Sequence, residues 1–457
     1  MFTTFMRLLL FLFLSSPLFA QSWPQWRGPN RDGVAQAVNL PTVLPDNLTL
    51  LWQVNAGAGV SSPVISGNQI YLLTRDGDDE VVSCYNSTKG DLIWQKRYSA
   101  KFIANPQADI PRWFPGSKGK GPFSTPLFHN NRLYTLGVDR IFSCFDAKTG
   151  ELKWQHHYFP TTIPDKLTYE CPPCGCSEDG NVFAAPGKCT ACQMTFSAMG
   201  LETSATSIGN YYGAVASPVV AKDQVIIHVG NNKQGIVIAH DLASGEKIWE
   251  WKGPAIASSS PVIAEIHGIS QLVSITRVSV FGISVDTGEL LWEFPIENNA
   301  QIVTPIVSGN LVIFAEYRRP IRAIETTKSE DVWTAREVWD NSELTLWTST
   351  AVLDGKQLYG FFYSSKGQFC SVDIHTGKTH WQSEGRQGAA ASLISAGKYL
   401  FALKENADLI VIDKKENAFF PLKTYSVAES PTWSHPVLWD NKILIKDVEN
   451  LTLWEIQ

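Results

Sequence analysis

The sequence has 457 residues, 44% of them hydrophobic and 18% charged, enough apolar material for a large core. With 38 basic and 44 acidic residues it carries a net charge of −6 and no basic run, which excludes the usual electrostatic profile of a nucleic-acid binder. Five of the eight cysteines crowd into residues 171–192, which marks a local module rather than a disulfide framework for the whole chain.

Residues 1–20 (MFTTFMRLLLFLFLSSPLFA) place one basic residue, Arg7, before an apolar run and then small residues. This is the pattern of a secretory signal peptide cleaved near Ala20. The run is short for a membrane span of ~20 residues, and no later stretch is apolar enough to form one. The expected product is soluble, periplasmic or extracellular, and monomeric. Residues 21–47 form an N-terminal lead-in, in which WPQWRGPNRDG (23–33) is rich in turn residues and anchored by Trp23 and Trp26. Residues 48–54 (LTLLWQV) then read as a lone strand carrying Trp52.

From there the chain repeats itself, and repeats decide architecture before other signals do. A turn motif recurs as NSTKGDLIW (86–94), DAKTGELKW (146–154), DLASGEKIW (241–249), DTGELLW (286–292, two residues shorter) and DIHTGKTHW (373–381). The Asp or Asn accepts hydrogen bonds from backbone N–H groups of its own turn. Gly90, Gly150, Gly245, Gly288 and Gly377 supply positive φ. The tryptophans, Trp94, Trp154, Trp249, Trp292 and Trp381, end outer strands and offer an apolar plate to a neighbouring unit. Trp52 and Trp339 hold corresponding places. The fifth repeat, 325–339, lacks the turn glycine, and the seventh, 413–425, lacks the tryptophan.

A second signal opens each unit: Ser62-Pro63, Thr125-Pro126, Ser217-Pro218, Ser260-Pro261, Thr304-Pro305, Thr350-Ala351, Ser392-Leu393 and His435-Pro436. Successive starts are 63, 92, 43, 44, 46, 42 and 43 residues apart. Most gaps match a unit of four short strands, with β-type alternation throughout. The reading is an all-β, eight-bladed propeller. The last unit ends at 451–456 without room for a fourth strand, so the strand at 48–54 is expected to complete it and close the ring. An open ring would expose two strand edges. The long gaps locate insertions at 75–79, 99–121 and 156–211. Blades are expected over 48–163 and 207–457, with a cysteine-rich insert at 164–206. In the insertion at 99–121, Arg112-Trp113-Phe114 with Lys118 and Lys120 is either a ligand contact or a solvated loop with one anchored ring.

The turn motifs, the eight starts and WPQWRGPNRDGV resemble the pyrroloquinoline-quinone (PQQ) repeat propeller family over nearly all of the chain outside the insert. That family includes eight-bladed quinoprotein alcohol dehydrogenases and the non-enzymatic propeller of the bacterial outer-membrane assembly machinery. The motif specifies fold rather than function, because its residues hold blades together. Family dehydrogenases resemble one another in an adjacent-cysteine disulfide against the quinone, a calcium site and a catalytic aspartate. This chain has no adjacent cysteines and no recognisable calcium or catalytic-aspartate motif, so bound PQQ and dehydrogenase activity are the alternative reading.

The insert reads Tyr169-Glu-Cys171-Pro-Pro-Cys174-Gly-Cys176, then Pro186-Gly-Lys-Cys189-Thr-Ala-Cys192-Gln-Met194. Two C-x2-C hooks, Cys171/Cys174 and Cys189/Cys192, are close to structural zinc spacing, and a sulfur cage also suits cuprous copper. The expected ligands are these four thiolates. Cys176 is then a fifth, spare thiol and a possible additional ligand, and Met194 either an added soft ligand or packing. Two disulfides are the rival arrangement in an oxidising exterior. The stretch resembles the small heavy-metal-binding domain of bacterial metal-transport proteins, departing where Pro173 and Cys174 replace its Met-His. Cys84, Cys144 and Cys370 read as buried small residues. The expected function is binding or scaffolding in the cell envelope, with a protein partner or small ligand at a ring mouth. Metal handling by the insert is a further alternative.

Overall fold

The computed structural model describes residues 22–36, 38–102, 121–159, 168–171, 175–199, 213–231, 234–297, 303–316, 319–346, 348–414 and 417–457. The expected signal peptide, the loop with Arg112, Trp113, Phe114, Lys118 and Lys120, and Cys174 lie outside these residues.

The chain forms eight four-stranded antiparallel meanders around an axis, at 64–99, 127–157, 219–254, 262–295, 306–341, 352–382, 391–426, and 437–455 with 49–55. The only helical element among the described residues is one 3-10 turn, Ser364–Lys366. The ring closes as expected: strand Thr49–Asn55 pairs with Asn450–Glu455, with Trp52 opposite Leu453. The second and third strands of blades 1 and 3 are almost wholly buried between neighbouring blades.

The tryptophans do not end the outer strands. Trp94, Trp154, Trp249 and Trp292 are each the third residue of theirs. A β-bulge precedes the ring in each case, leaving Ile93, Lys153, Ile248 and Leu291 without a cross-strand partner. Bulges bend and twist a strand, and the indoles of Trp94, Trp154 and Trp249 lie on the turn glycine of the next blade, Gly150, Gly245 and Gly288. A Cβ added at Gly150 (φ +71°) would lie 2.6 Å from the Trp94 ring. Trp52 covers Gly90 in the same way, so the closing strand docks like any other. Trp52, Trp94, Trp249 and Trp339 also donate Nε1–H to the backbone of the next blade, at Ser87, Ala147, Val285 and Ile374, over 2.8–3.0 Å.

The two departing repeats remain blades, and their effect falls on the neighbour before them. Trp292 turns to its own blade, donating to Gln271 at 2.7 Å, and the Trp381 indole nitrogen has no acceptor among the described residues. The turn at 284–292 is not shortened. Gly288 N–H reaches Ser284 O as Gly150 N–H reaches Asp146 O, and the Ser284 hydroxyl takes the capping place expected of Asp286.

The hydroxyl at each unit start has a structural reason. Its oxygen accepts the N–H of the equivalent residue one blade earlier: His435 to Ser62, Ser62 to Thr125, Thr125 to Ser217, Ser217 to Ser260, Ser260 to Thr304 and Thr304 to Thr350, over 2.8–3.3 Å. This belt links the starts of the innermost strands from blade to blade. Between the sixth and seventh blades it shifts by one residue and reverses, Ala391 N–H of the later blade donating to the Ser349 hydroxyl of the earlier.

The lead-in crosses the axis and closes one mouth. Ser22–Trp23 pairs with Val64–Ser66 of blade 1. Pro24 O accepts from Phe128 of blade 2. Arg31 donates to Ser217 and Pro218 carbonyls of blade 3, and Arg27 to Ala351 O of blade 6 at 2.5 Å. Val34 bridges Ser395 of blade 7, and Trp23 stacks on His435 of blade 8. The connections bearing both long insertions, 99–127 and 157–219, leave from the opposite face.

Candidate metal centre

The insert folds as a small antiparallel sheet, with Thr168–Glu170 between Val182–Phe183 and Ser197–Met199. Phe183 and Phe196 stack at 4.0 Å, and Tyr169 packs beside them. So small an apolar cluster is weak by itself, which is why modules of this size carry an ion or a cross-link.

Its loops bring four sulfurs together: Cys171, Cys176, Cys189 and Cys192, all within 4.8 Å of one another. Cys171 Sγ lies 3.7 Å from Cys176 Sγ and 3.8 Å from Cys192 Sγ, and Cys176 Sγ lies 3.7 Å from Cys189 Sγ. A disulfide would bring two sulfurs to about 2.05 Å. Four zinc–sulfur bonds of ~2.3 Å at tetrahedral angles set the sulfurs about 3.8 Å apart. The observed spacing fits the second geometry. All four corners are then protein sulfur, the closed coordination of a structural site.

Local backbone bonding sets these positions. Cys171 N–H donates to Asn181 O, Gly180 N–H to Cys171 O, and Asp179 N–H to Cys176 O, folding 171–181 into a loop that returns Cys176 beside Cys171. The second hook closes through Cys189 N–H to Met194 O at 2.8 Å and Gln193 N–H to Cys189 O at 2.9 Å. Cys192 N–H points at Cys189 Sγ over 3.4 Å, a donor that favours thiolate. Met194 thus contributes its carbonyl to the hook.

Three of the four sequence-expected ligands, Cys171, Cys189 and Cys192, meet here. Cys176, the possible additional ligand, joins them, and Cys174 is outside the described residues. Glu178 was not anticipated from sequence. Its carboxylate accepts from Thr190 Oγ1 at 2.6 Å and lies 3.3 Å from Cys189 Sγ, and these contacts, Thr190 first, hold its pKa below the usual value. An acidic residue in a polar loop carries no sequence signal for this. Cys171 and Cys189 are fully buried, and Cys176 and Cys192 half-buried.

The other cysteines are isolated within blades. Cys84 and Cys144 pair across strands with Trp94 and Trp154, while Cys370 sits one register position away, opposite Gln382. Burial pushes the thiols of Cys84 and Cys370 up to about 12, so they are neutral packing groups.

The comparisons agree with this division between ring and insert. No curated protein matches the sequence. A family model described as outer membrane protein assembly factor BamB matches residues 38–162, 201–360 and 301–420. The match stops before the cysteine module and resumes after it. Among solved structures, BamB from Moraxella catarrhalis superposes with a TM-score of 0.57 at 12% identity, covering 89% of this chain and 99% of that one. Quinohemoprotein alcohol dehydrogenase from Comamonas testosteroni gives 0.61 at 12%, covering 95% and 80%. A europium-containing methanol dehydrogenase gives 0.57 at 11%, covering 94% and 98%. At these identities the superpositions speak for the propeller alone. The chain belongs to the PQQ-repeat propeller family represented by outer membrane protein assembly factor BamB, with a cysteine module inserted between its second and third blades.

Proposed function

We propose that this protein is exported to the cell envelope and acts there as a propeller scaffold, presenting a metal-stabilised cysteine module beside its open mouth to a protein partner. The observation that carries the reading is the tetrahedral spacing of four sulfurs in a module that interrupts an otherwise complete propeller. With every coordination position occupied by sulfur, zinc would shape the module rather than activate water or substrate. Cuprous copper suits the same soft donors. Zinc-dependent folding would fix a surface that the small apolar cluster cannot hold by itself.

The deciding experiment is elemental analysis of the mature protein purified from its native compartment, alongside in-cell cross-linking. About one zinc or copper per chain, and a cross-linked envelope protein lost when the module is deleted, would support the proposal. Two disulfides without metal would remove the metal site. Dye reduction on adding PQQ, calcium and an alcohol would favour the dehydrogenase reading instead.

A further inference from the structure

The four sulfurs of the insert touch in a chain. Cys192 Sγ lies 3.8 Å from Cys171 Sγ, Cys171 Sγ 3.7 Å from Cys176 Sγ, and Cys176 Sγ 3.7 Å from Cys189 Sγ. A chain of four divides into two neighbouring pairs in one way only, Cys171 with Cys192 and Cys176 with Cys189. Neither pair lies within a C-x2-C hook. Each instead joins the loop at 171–181 to the hook at 189–194, and both segments are held by their own backbone bonds. Burial divides the sulfurs along the same lines. Cys171 and Cys189 are fully buried, whereas Cys176 and Cys192 are half-buried. Each pair thus joins a cysteine open to solvent to one that is not.

This pairing suits a two-electron oxidation. A bound zinc ion keeps its cysteine ligands deprotonated, and the thiolate is the nucleophilic form. The half-buried thiolate of a pair attacks hydrogen peroxide. A sulfur–oxygen bond forms, the oxygen–oxygen bond breaks and hydroxide leaves, which makes a sulfenic acid. The buried thiolate in contact with it then attacks the sulfenic sulfur, forming a disulfide and expelling a second hydroxide. The peroxide gains two electrons, one from each sulfur. Each disulfide withdraws two of the four thiolates from the ion.

We propose that the cysteine module is a hydroperoxide-sensitive zinc switch, in which Cys171–Cys192 and Cys176–Cys189 disulfides replace the ion. The inference rests on the zinc-bound reading of the module. Zinc and the two cross-links hold the same two segments together, so the module keeps its fold in both states while the ion is released. Cys84, Cys144 and Cys370 take no part, because each is buried alone within a blade.

The full mature protein, reduced and loaded with zinc, tests this by titration with hydrogen peroxide. Elemental analysis before peroxide is added checks the metal reading separately. Zinc release to a weak chromogenic chelator is expected to track disulfide formation, and dithiothreitol with added zinc should reverse it. Peptide mass spectrometry without reduction should find Cys171–Cys192 and Cys176–Cys189, with Cys84, Cys144 and Cys370 still reduced. Cys171→Ser removes the partner of Cys192, so dimedone, a sulfenic-acid trap, should label Cys192 in that variant and scarcely in wild type. If the variant fails to fold, the wild-type disulfide map decides alone. Zinc that stays bound under peroxide, a Cys189–Cys192 disulfide, or release with sulfinic acids and no disulfide would overturn the switch and leave the metal reading standing. Reduced protein that takes up no zinc would overturn both.

Discussion

Phenylalanine substitution at Trp94 and, separately, at Trp154 isolates the hydrogen bond that joins one blade to the next. Trp94 is 9% exposed, stacks on Gly150 and donates Nε1–H to Ala147 O at 3.0 Å. Trp154 stacks on Gly245 just as closely, but its indole nitrogen has no acceptor among the described residues. The carbonyl in the equivalent place, Leu242 O, accepts the Tyr134 hydroxyl instead. Both substitutions remove the same ring volume, so the packing loss is common to the pair. Trp94→Phe additionally loses a buried hydrogen bond and orphans a carbonyl, worth about 1–2 kcal/mol. Urea unfolding followed by far-UV circular dichroism should show Trp94→Phe the less stable of the two by that margin. Alanine at either position should cost about 3–5 kcal/mol. Equal losses in the phenylalanine pair, or a larger loss at Trp154, would refute the argument that indole donation ties the blades together.

Cys189→Ser should release the bound metal, measured by elemental analysis, while the main melting transition of the propeller stays within a few degrees, because the module branches from a connection between complete blades. Metal should also leave the wild-type protein as pH falls, since thiolate ligands must stay deprotonated. Removing residues 1–55 behind a substitute signal deletes both the axial lead-in and the closing strand, and should give an aggregating product by light scattering. A monodisperse product would contradict closure. Glu80 is wholly buried, and burial raises its pKa despite the Val138 N–H bonded to it at 2.7 Å. A raised carboxyl pKa stabilises the fold below the unfolded value of about 4.3, and this is lost as pH rises through the folded pKa. Glu80→Gln should therefore equal or exceed wild type in stability at pH 7 and lose that advantage below about pH 4.3 in paired urea titrations.

The repeat was legible because its parts are local. Turn chemistry, positive-φ glycines and the alternation of buried strands act over a few residues, and the spacing of unit starts gave the blade count. The closing strand could also be inferred, since the last unit lacked one strand and a spare stood at the other end of the chain. The sulfur-rich module announced itself by cysteine spacing. Which thiols meet was less legible, and Cys176, a possible additional ligand by sequence, joins the cluster. Its position depends on how 171–181 loops back through the Asn181 and Asp179 bonds, and short C-x2-C spacing outweighed that path on paper.

What the sequence by itself determined was the blade, its repetition and the presence of a thiol cluster, all set by neighbours within about one unit. What only the tertiary structure decided were relations between blades. These are the seating of five tryptophans, Trp52, Trp94, Trp154, Trp249 and Trp339, on the next blade's glycine, the hydroxyl belt, and the passage of residues 22–35 across the axis. Arg27 and Arg31 show the reason. Their partners, Ala351 and Pro218, lie 324 and 187 residues away. No local propensity encodes such a contact, because it exists only once ring closure has brought distant inner strands around a common axis.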